Sequence, residues 1–456
     1  MDTEISYGLL TLLPPIIVIG VALYTKLNFE SLMLGAWIAF IMSQGFFGSI
    51  PALLDSCQTA VSENAWMYIV LALVGSLITL LSASKGTFGF AKFLQKYAKT
   101  QKKTLMFGWF LGLLIFIDDY LNVLTVSACT KEVADRQRTP REMLAYVLDS
   151  TGAPVCILVP LSTWAVYYGN VFAQQESLAE MGDGAYLYLH SIPFAFYGFT
   201  AVILVPLVIL GIVPKLGAMK KAYRRVDETG MVYSELSAKL NEGELSTEEP
   251  LPDGKIIDFL LPMAVVVGVA IWKDDLLTAL VIGICVAGIL YIPRKVMKPK
   301  EFCEVFTRGL TTMVPMIAIC MASQVVKMSM DSINLPTYVV DAVLPFVNPD
   351  TLAAITFVVV ALLAFVTGSS WGVPVVCVPI IVPLAVESGA PIFLVLGAIA
   401  SAAAFGSHAC FYTDVTIMSS QVSKINNMEH VLTQLPYAII AGLAAVVLYL
   451  VFGFVL

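Results

Sequence analysis

The chain has 456 residues, of which 58% are hydrophobic and 13% charged, with a formal net charge of −7. A soluble domain carries about a quarter charged residues, so the composition excludes an ordinary soluble enzyme and indicates a polytopic membrane protein. Nucleic acid is excluded as a partner because no basic stripe is present, and ATP as an energy source because no Gly-x-x-x-x-Gly-Lys-Ser/Thr loop occurs.

In chain order, the start Met1-Asp2-Thr3-Glu4 lacks the basic region of a cleaved signal peptide, so the first apolar run reads as a retained span. A span needs about 20 apolar residues. Runs of that kind fall at roughly 7–25, 30–47 and 66–84. The next run, about 104–128, carries Asp118 and Asp119 at its middle. Lys99, Lys102 and Lys103 precede it, and Lys131, Arg136, Arg138 and Arg141 follow. Positive loops stay cytoplasmic, so both of its ends face one compartment. Its arms of about 14 and 11 residues reach roughly 21 and 16 Å as helix. Neither crosses a core of about 30 Å. The run is therefore expected to enter, turn near the aspartates and return.

A span at about 143–170, broken by Gly152, Pro154 and Pro160, and another at 190–214 complete the first half. The polar stretch 226–255, with Gly230, Gly243, Pro250, Pro252 and Gly254, reads as a cytoplasmic linker. Spans follow at 256–272, 275–292 and 304–328. A second short run at about 351–388 turns near Thr367, a broken span covers 391–423, and a last span covers 433–455. The segment 335–348, with Pro336 and Pro345, fits no span and is placed at the membrane interface.

The loops carry consistent signs. Lys85–Lys103, Lys131–Arg141, Lys215–Arg225 and Arg294–Lys300 are basic and placed inside. Acidic loops at Asp55–Glu63 and Glu176–Asp183, with the Lys273-Asp274-Asp275 turn, are placed outside. These signs thread only if 104–128 is a hairpin from the cytoplasm, with both termini outside. Residues 1–225 and 256–456 then each hold about five spans and one hairpin in the same order. An odd number of spans inverts the second half relative to the first. The expected fold class is an all-α polytopic membrane protein of two inverted repeats, each with about five transmembrane helices and one re-entrant hairpin. The second hairpin, flanked by Asp350 and Glu387, opens outward.

Carboxylates at membrane depth read as an ion or proton site. Asp118, Asp119, Asp149 and Asp414 are the central ones. Neighbours on a helix point about 100° apart, so only one of Asp118 and Asp119 faces the site. Asn122 closes the first turn; Asp149-Ser150-Thr151-Gly152 begins the first break. Thr367-Gly368-Ser369-Ser370 forms the second turn, and Ser407-His408 precedes the second break. Interrupted helices free carbonyl groups, which with Ser and Thr hydroxyls suit a hard cation. Sodium ligands are expected from Asp119, Asp149, Ser150, Thr151, Thr367 and Ser369. His408 exchanges protons near neutrality or serves as a structural residue. Lys327 is read as snorkelling to the interface, and Trp164 and Trp371 as helix packing beside the site. The 8 cysteines show no zinc-like spacing and are read as small apolar residues. No cofactor is expected beyond Na+ and H+ as transported or coupling ions.

Three segments carry a family resemblance: Asp118-Asp119-Tyr120-Leu121-Asn122, Leu148-Asp149-Ser150-Thr151-Gly152-Ala153-Pro154-Val155-Cys156 with Ser162-Thr163-Trp164, and Thr367-Gly368-Ser369-Ser370-Trp371-Gly372. With Phe405-Gly406-Ser407-His408 and Tyr412-Thr413-Asp414 they resemble the NhaC-type sodium/proton antiporter family, within the larger ion transporter superfamily, over nearly the whole chain. The resemblance implies inverted repeats with re-entrant hairpins, a bacterial plasma (inner) membrane, a homodimer and an elevator-like motion. The chain departs from the family at Ser407, where an aspartate is usual, and at Ala409-Cys410-Phe411-Tyr412, where small residues and proline are usual.

The expected function is therefore Na+/H+ exchange by alternating access, not enzyme catalysis. The alternative is sodium- or proton-coupled transport of a small carboxylate, amino acid or amine, for which Ser407, Phe411 and Tyr412 would make room. An intramembrane aspartyl hydrolase, with two aspartates sharing a proton, lacks its glycine-rich context.

Overall fold

A computed structural model describes residues 7–25, 27–116, 118–160, 162–242, 253–273, 275–343 and 348–456. Gly243, Pro250 and Pro252 of the linker, Asp274, Pro345 and the Met1-Asp2-Thr3-Glu4 start lie outside the described residues. The described residues form helices and no strands, as lipid requires of a chain that cannot close a barrel.

The first half opens with α1 (Leu13–Thr25), α2 (Asn28–Glu63), α3 (Ala65–Ala83) and α4 (Gly86–Gln95). Helix α2 bends where Gly45 takes φ +71° and then continues through Asp55 to Glu63. The acidic loop expected there is helical, because no glycine or proline follows Pro51 before Glu63. Next come α5 (Gln101–Leu114) and α6 (Asp119–Arg136), joined by a short turn. Helices α7 (Arg141–Thr151), α8 (Ala153–Cys156) and α9 (Thr163–Ala173) form an interrupted run. Helices α10 (Gly184–Ser191) and α11 (Phe196–Leu210) meet at a 48° bend, and α12 (Gly217–Thr229) is polar and basic.

The second half holds α13 (Ile257–Lys273), α14 (Leu276–Tyr291), α15 (Pro299–Thr312) and α16 (Val314–Asp331). A short α17 (Leu335–Val343) follows, within the segment expected at the interface. Helices α18 (Leu352–Thr367) and α19 (Gly372–Ser388) are joined by a short turn. An interrupted run of α20 (Ile392–Ala409) and α21 (Asp414–Val422) precedes α22 (Asn427–Val455).

Among the described residues, five helices are long and apolar enough to cross a membrane: Phe29–Glu63, Ala65–Ala83, Pro299–Asp331, Ile392–Val422 and Asn427–Val455. The bent pair α10–α11 makes a sixth if it counts as one span. The chain is thus a multi-pass membrane protein. The runs at 256–272 and 275–292 form helices of 17 and 16 residues, about 26 and 24 Å long.

The halves pack through each other. Helix α16 lies on α2, α15 on α3, α20 on α10 and α11, and α21 on α6. Small residues allow the α3–α15 crossing: a Cβ added at Gly75 would lie 2.5 Å from the Gly309 carbonyl oxygen. Ser76 Oγ donates to the Phe306 carbonyl there at 2.9 Å. Close approach of backbones through small residues is how helices associate without a hydrophobic driving force.

The described part of the linker is docked onto the helices. The Arg141 N–H donates to the Val232 carbonyl at 2.9 Å. Arg225 grips Glu142 with two bonds of 2.7 and 3.0 Å. Ser234 and Ser237 both donate to Glu429 Oε2 at 2.7 Å, and Asn241 Nδ2 donates to the Lys424 carbonyl at 2.9 Å. Glu142 is buried, so removing its partner leaves a buried charge. Arg225→Ala should destabilise the protein by about 2 kcal/mol, below the full cost of breaking a buried pair because Arg225 is partly solvated. Arg224→Ala, at an exposed pair with Glu228, should change stability by less than about 0.5 kcal/mol. Thermal unfolding in detergent compares the two.

Candidate functional site

Both short turns and both helix breaks converge on the protein's interior. Asp118 caps α6, its Oδ1 accepting from the Leu121 N–H at 3.1 Å. In the second turn Ser369 Oγ accepts from the N–H of Gly372, the first residue of α19, at 2.9 Å, again a reach of three residues. Asn122 holds the first turn to the first break: its Nδ2 donates to the carbonyls of Gly112 and Ile115 at 2.7 Å and of Thr151 at 2.8 Å. The backbones meet closely here, since a Cβ at Gly112 would lie 2.5 Å from Thr151 Cβ.

The breaks themselves are repaired by one matching device. Ser162 Oγ donates to the carbonyls of Cys156 at 2.6 Å and Val159 at 3.1 Å. Thr413 Oγ1 donates to those of Ser407 at 2.6 Å and Cys410 at 3.1 Å. In each case a hydroxyl reaches back six and three residues, to carbonyls that the interrupted helix ladder leaves free.

Around these repairs lie two polar clusters. The first joins Asp118 and Asp119, both buried, with Asp414, half-buried at the edge of a cleft, the three within electrostatic reach of one another. Asp119 Oδ2 accepts from Trp164 Nε1 at 3.0 Å, and its Oδ1 from the Tyr120 N–H at 3.0 Å. The Tyr120 hydroxyl donates to Asp414 Oδ2, and Asp414 Oδ1 accepts from the Val415 N–H at 2.9 Å. Neutral donors alone therefore serve Asp119 and Asp414. Trp164 is thus a hydrogen-bond donor to the site as well as a packing group, with its ring 4.6 Å from that of Trp371.

The second turn closes over this cluster. Gly368 takes φ +64°, and a Cβ there would lie 2.2 Å from the Tyr412 ring, so only glycine fits. The Tyr412 hydroxyl donates to the Val366 carbonyl, Tyr167 to that of Trp371, and Tyr168 to that of Ser370 at 2.9 Å. Thr367 Oγ1 donates to the Leu363 carbonyl at 2.8 Å. Phe411 and Tyr412 are themselves buried, and the Tyr412 ring packs against Gly368 of the turn. A cleft does open between α16 and the turn, lined by Ser323, Gln324, Ser369, Ser370, Trp371 and Asp414. Lys327 lies across the start of α19: a Cβ at Gly372 would be 2.3 Å from its Cε.

The second cluster gathers Asp149, Ser150, His408, His430 and Gln434. Ser150 Oγ and His408 Nε2 are 2.9 Å apart, and the Tyr197 hydroxyl lies 2.7 Å from His408 Nδ1. Asp149 Oδ2 meets His430 Nε2 at 3.0 Å and accepts from Gln434 Nε2 at 2.6 Å. Thr151 Oγ1 turns back to the Val147 carbonyl at 2.9 Å, and Ser407 Oγ has no partner. The expected residues are therefore divided: Asp118, Asp119, Asp414, Gly368, Ser369 and Ser370 at one cluster, Asp149, Ser150 and His408 at the other, with Asn122 and Thr151 between them.

His430 falls outside the last span as read from 433, and Gln434, just inside that span, carries no sequence signal that sets it apart from an end-of-helix polar residue. Their joint signal is an i, i+4 polar pair on one face of an apolar helix, which at membrane depth indicates a function. Carboxylate, amide and hydroxyl oxygens of this kind suit a hard cation. No group of three or more His, Cys, Asp or Glu placed to hold a metal ion occurs among the described residues.

Comparison with known proteins adds three findings. The model of the Na+/H+ antiporter family matches residues 155–454. An uncharacterised protein of Haemophilus influenzae is 27% identical over 492 aligned positions, covering 99% of this chain and 92% of that protein. The malate-2H(+)/Na(+)-lactate antiporter of Bacillus subtilis is 31% identical over 111 residues, 24% of each chain.

Asn122 tests the junction. Asn122→Leu keeps the branched shape, adds bulk and leaves buried carbonyls unpaired, and should lower stability by about 2–4 kcal/mol. The measurement is the thermal unfolding midpoint of the purified protein.

Proposed function

The chain belongs to the Na+/H+ antiporter family, and on that premise we propose that it is a secondary transporter that exchanges Na+ for H+ across a bacterial plasma membrane. The observation that carries this is the cluster of buried Asp118 and Asp119 with half-buried Asp414, whose hydrogen-bond donors are neutral. A carboxylate buried without a counter-cation prefers its proton; a bound cation stabilises the charged form. Sodium and protons therefore compete for Asp119 and Asp149, with Asp414 assisting, and exchange follows from that competition. Ser369 and Ser370 stand close by to add oxygen ligands.

The proposed architecture is NhaC-like: two inverted repeats whose hairpins, α5–α6 and α18–α19, enter from opposite faces and return. The matched turn bonds and hydroxyl repairs support it. So does a crossed arrangement, in which α9 of the first half reaches the second turn through Trp164 and Trp371, and α21 of the second half reaches α6 through Asp414 and Tyr120. Discontinuous helices meeting at mid-membrane suit alternating access. A homodimer with elevator-like movement belongs to the same proposal.

A second reading is sodium-coupled exchange of a small carboxylate. The matched stretch of the malate-2H(+)/Na(+)-lactate antiporter supports it.

Proteoliposomes with an internal pH dye test both. A sodium gradient should drive proton movement, and Asp119→Asn should reduce its rate at least about 100-fold, as expected for loss of a charge that the transported ion requires. Undiminished proton movement in Asp119→Asn contradicts the site assignment. Labelled malate, lactate and other carboxylates, added with and without sodium, decide whether a solute accompanies the ion.

A further inference from the structure

We infer that the groove between α4 and the start of α5 binds one anionic glycerophospholipid, with an acyl chain lying among Phe90, Phe93, Leu94, Tyr97 and Phe107 and the headgroup phosphate on Lys103. The inference goes beyond ion exchange and does not depend on which ion or solute the protein carries.

The charge pattern places this stretch at the cytoplasmic surface of the bilayer. Helix α4 has 10 residues, about 15 Å, and cannot cross a membrane. Between Glu63 and Asp118 the chain carries six lysines, at positions 85, 92, 96, 99, 102 and 103, and no acidic residue. Such a run stays on the cytoplasmic side. Lysines clustered there beside a span attract anionic lipid.

One face of α4 is fixed against the protein. The Phe90 ring lies 5.0 Å from that of Phe259 on α13. A Cβ added at Gly89 would lie 2.5 Å from the Gly254 carbonyl oxygen, so glycine lets α4 seat on the chain that enters α13. The wall of the groove is thereby held in place without a ligand. The other face is open. Phe93 is 44% exposed and Tyr97 68% exposed. Phe93 lies 6.3 Å from Phe90 and 5.3 Å from Tyr97, ring centre to ring centre. The three rings lead from the interior outward, and aromatic side chains gather at the level of the headgroups.

Between these rings and Phe107 of α5 the groove has a volume of about 240 Å³, where a single water needs about 10–15 Å³. Its lining is apolar apart from Lys103. An exposed apolar surface with a polar rim marks an interaction site, and a hydrocarbon chain in this one removes apolar area from water on both sides. Charge then selects the headgroup. Lys96, Lys99 and Lys103 are exposed and make no ion pair among the described residues, whereas Lys92 pairs with Asp253 at 2.7 Å. Thr100 Oγ1 accepts from the Lys103 N–H at 3.3 Å, which fixes the first turn of α5 and with it the root of the Lys103 side chain. A zwitterionic headgroup brings its own cation against these lysines. A phosphodiester of net negative charge brings only the complementary sign.

The test uses purified full-length protein, stripped of lipid in a neutral maltoside detergent, with bound lipid counted by native mass spectrometry. Wild type should bind phosphatidylglycerol at least about tenfold more tightly than phosphatidylcholine with the same chains. Lys103→Gln should weaken phosphatidylglycerol binding about fivefold and leave phosphatidylcholine unchanged. Lys300→Gln, at an exposed lysine of α15, should change neither. Phe93→Ala should weaken both lipids about threefold or more, because the chain loses a wall of its groove. Inorganic phosphate should displace no more lipid than chloride does at the same ionic strength. Equal affinity of wild type for the two lipids overturns the inference, as does a Lys103→Gln variant that behaves like Lys300→Gln. Displacement by phosphate beyond that by chloride shows a site for free anions and also overturns it. None of these outcomes bears on sodium or proton movement. If Lys103→Gln does not fold, Phe93→Ala decides: unchanged binding of phosphatidylglycerol overturns the inference.

Discussion

A backbone carbonyl or N–H left unpaired in a membrane interior costs several kcal/mol, and the arrangement of this protein follows from how it meets that cost. Helices are interrupted at Gly152–Ser162 and at Cys410–Thr413, where carbonyls would otherwise be stranded. Ser162 and Thr413 satisfy them with the same reach. Asn122 does the like for the turn after α5. Once these groups are satisfied, irregular chain can persist deep in the molecule, and carboxylates can be carried on it.

Charge is arranged by the same logic. Asp118, Asp119 and Asp414 receive hydrogen bonds from backbone N–H groups, an indole and a phenol. Such donors lessen the cost of burying a carboxylate without supplying a positive charge, a part that the proposed function gives to the transported cation. Asp149 differs in having a histidine as direct partner. On the proposed reading sodium and protons compete for Asp119 in the first cluster and Asp149 in the second, with Asp414 assisting. The clusters communicate through short paths, since Asn122 ties the turn beside Asp118 to Thr151, two residues beyond Asp149.

Much of this was legible in the residues, and the failures have physical causes. Two adjacent carboxylates cannot share a direction on a helix, and Asp118 does bond the turn backbone while Asp119 meets Trp164. Proline and glycine marked the first break, whereas the second, at Cys410–Thr413, contains neither and Gly406 lies inside α20. Tertiary donors were harder to see: an apolar run gives no sign that Trp164 will aim its indole N–H at a carboxylate from another helix. His430 sits at the polar edge of the last hydrophobic run, where composition assigns a loop and the structure begins α22 at Asn427. Polar composition also marked 226–255 as a linker, but exposure of a sequence does not reveal that Val232, Ser237 and Asn241 will dock on buried Arg141 and its neighbours.

The central claim is that each half sends a hairpin into the membrane and back, from opposite faces. Accessibility of single cysteines at Lys103, Lys131, Asp350 and Glu387, placed in a cysteine-free background and probed with an impermeant maleimide in right-side-out and inverted vesicles, tests it directly. The account predicts that positions 103 and 131 react only from the cytoplasmic face and that 350 and 387 react only from the opposite one. Labelling of 103 and 131 from opposite faces would contradict it.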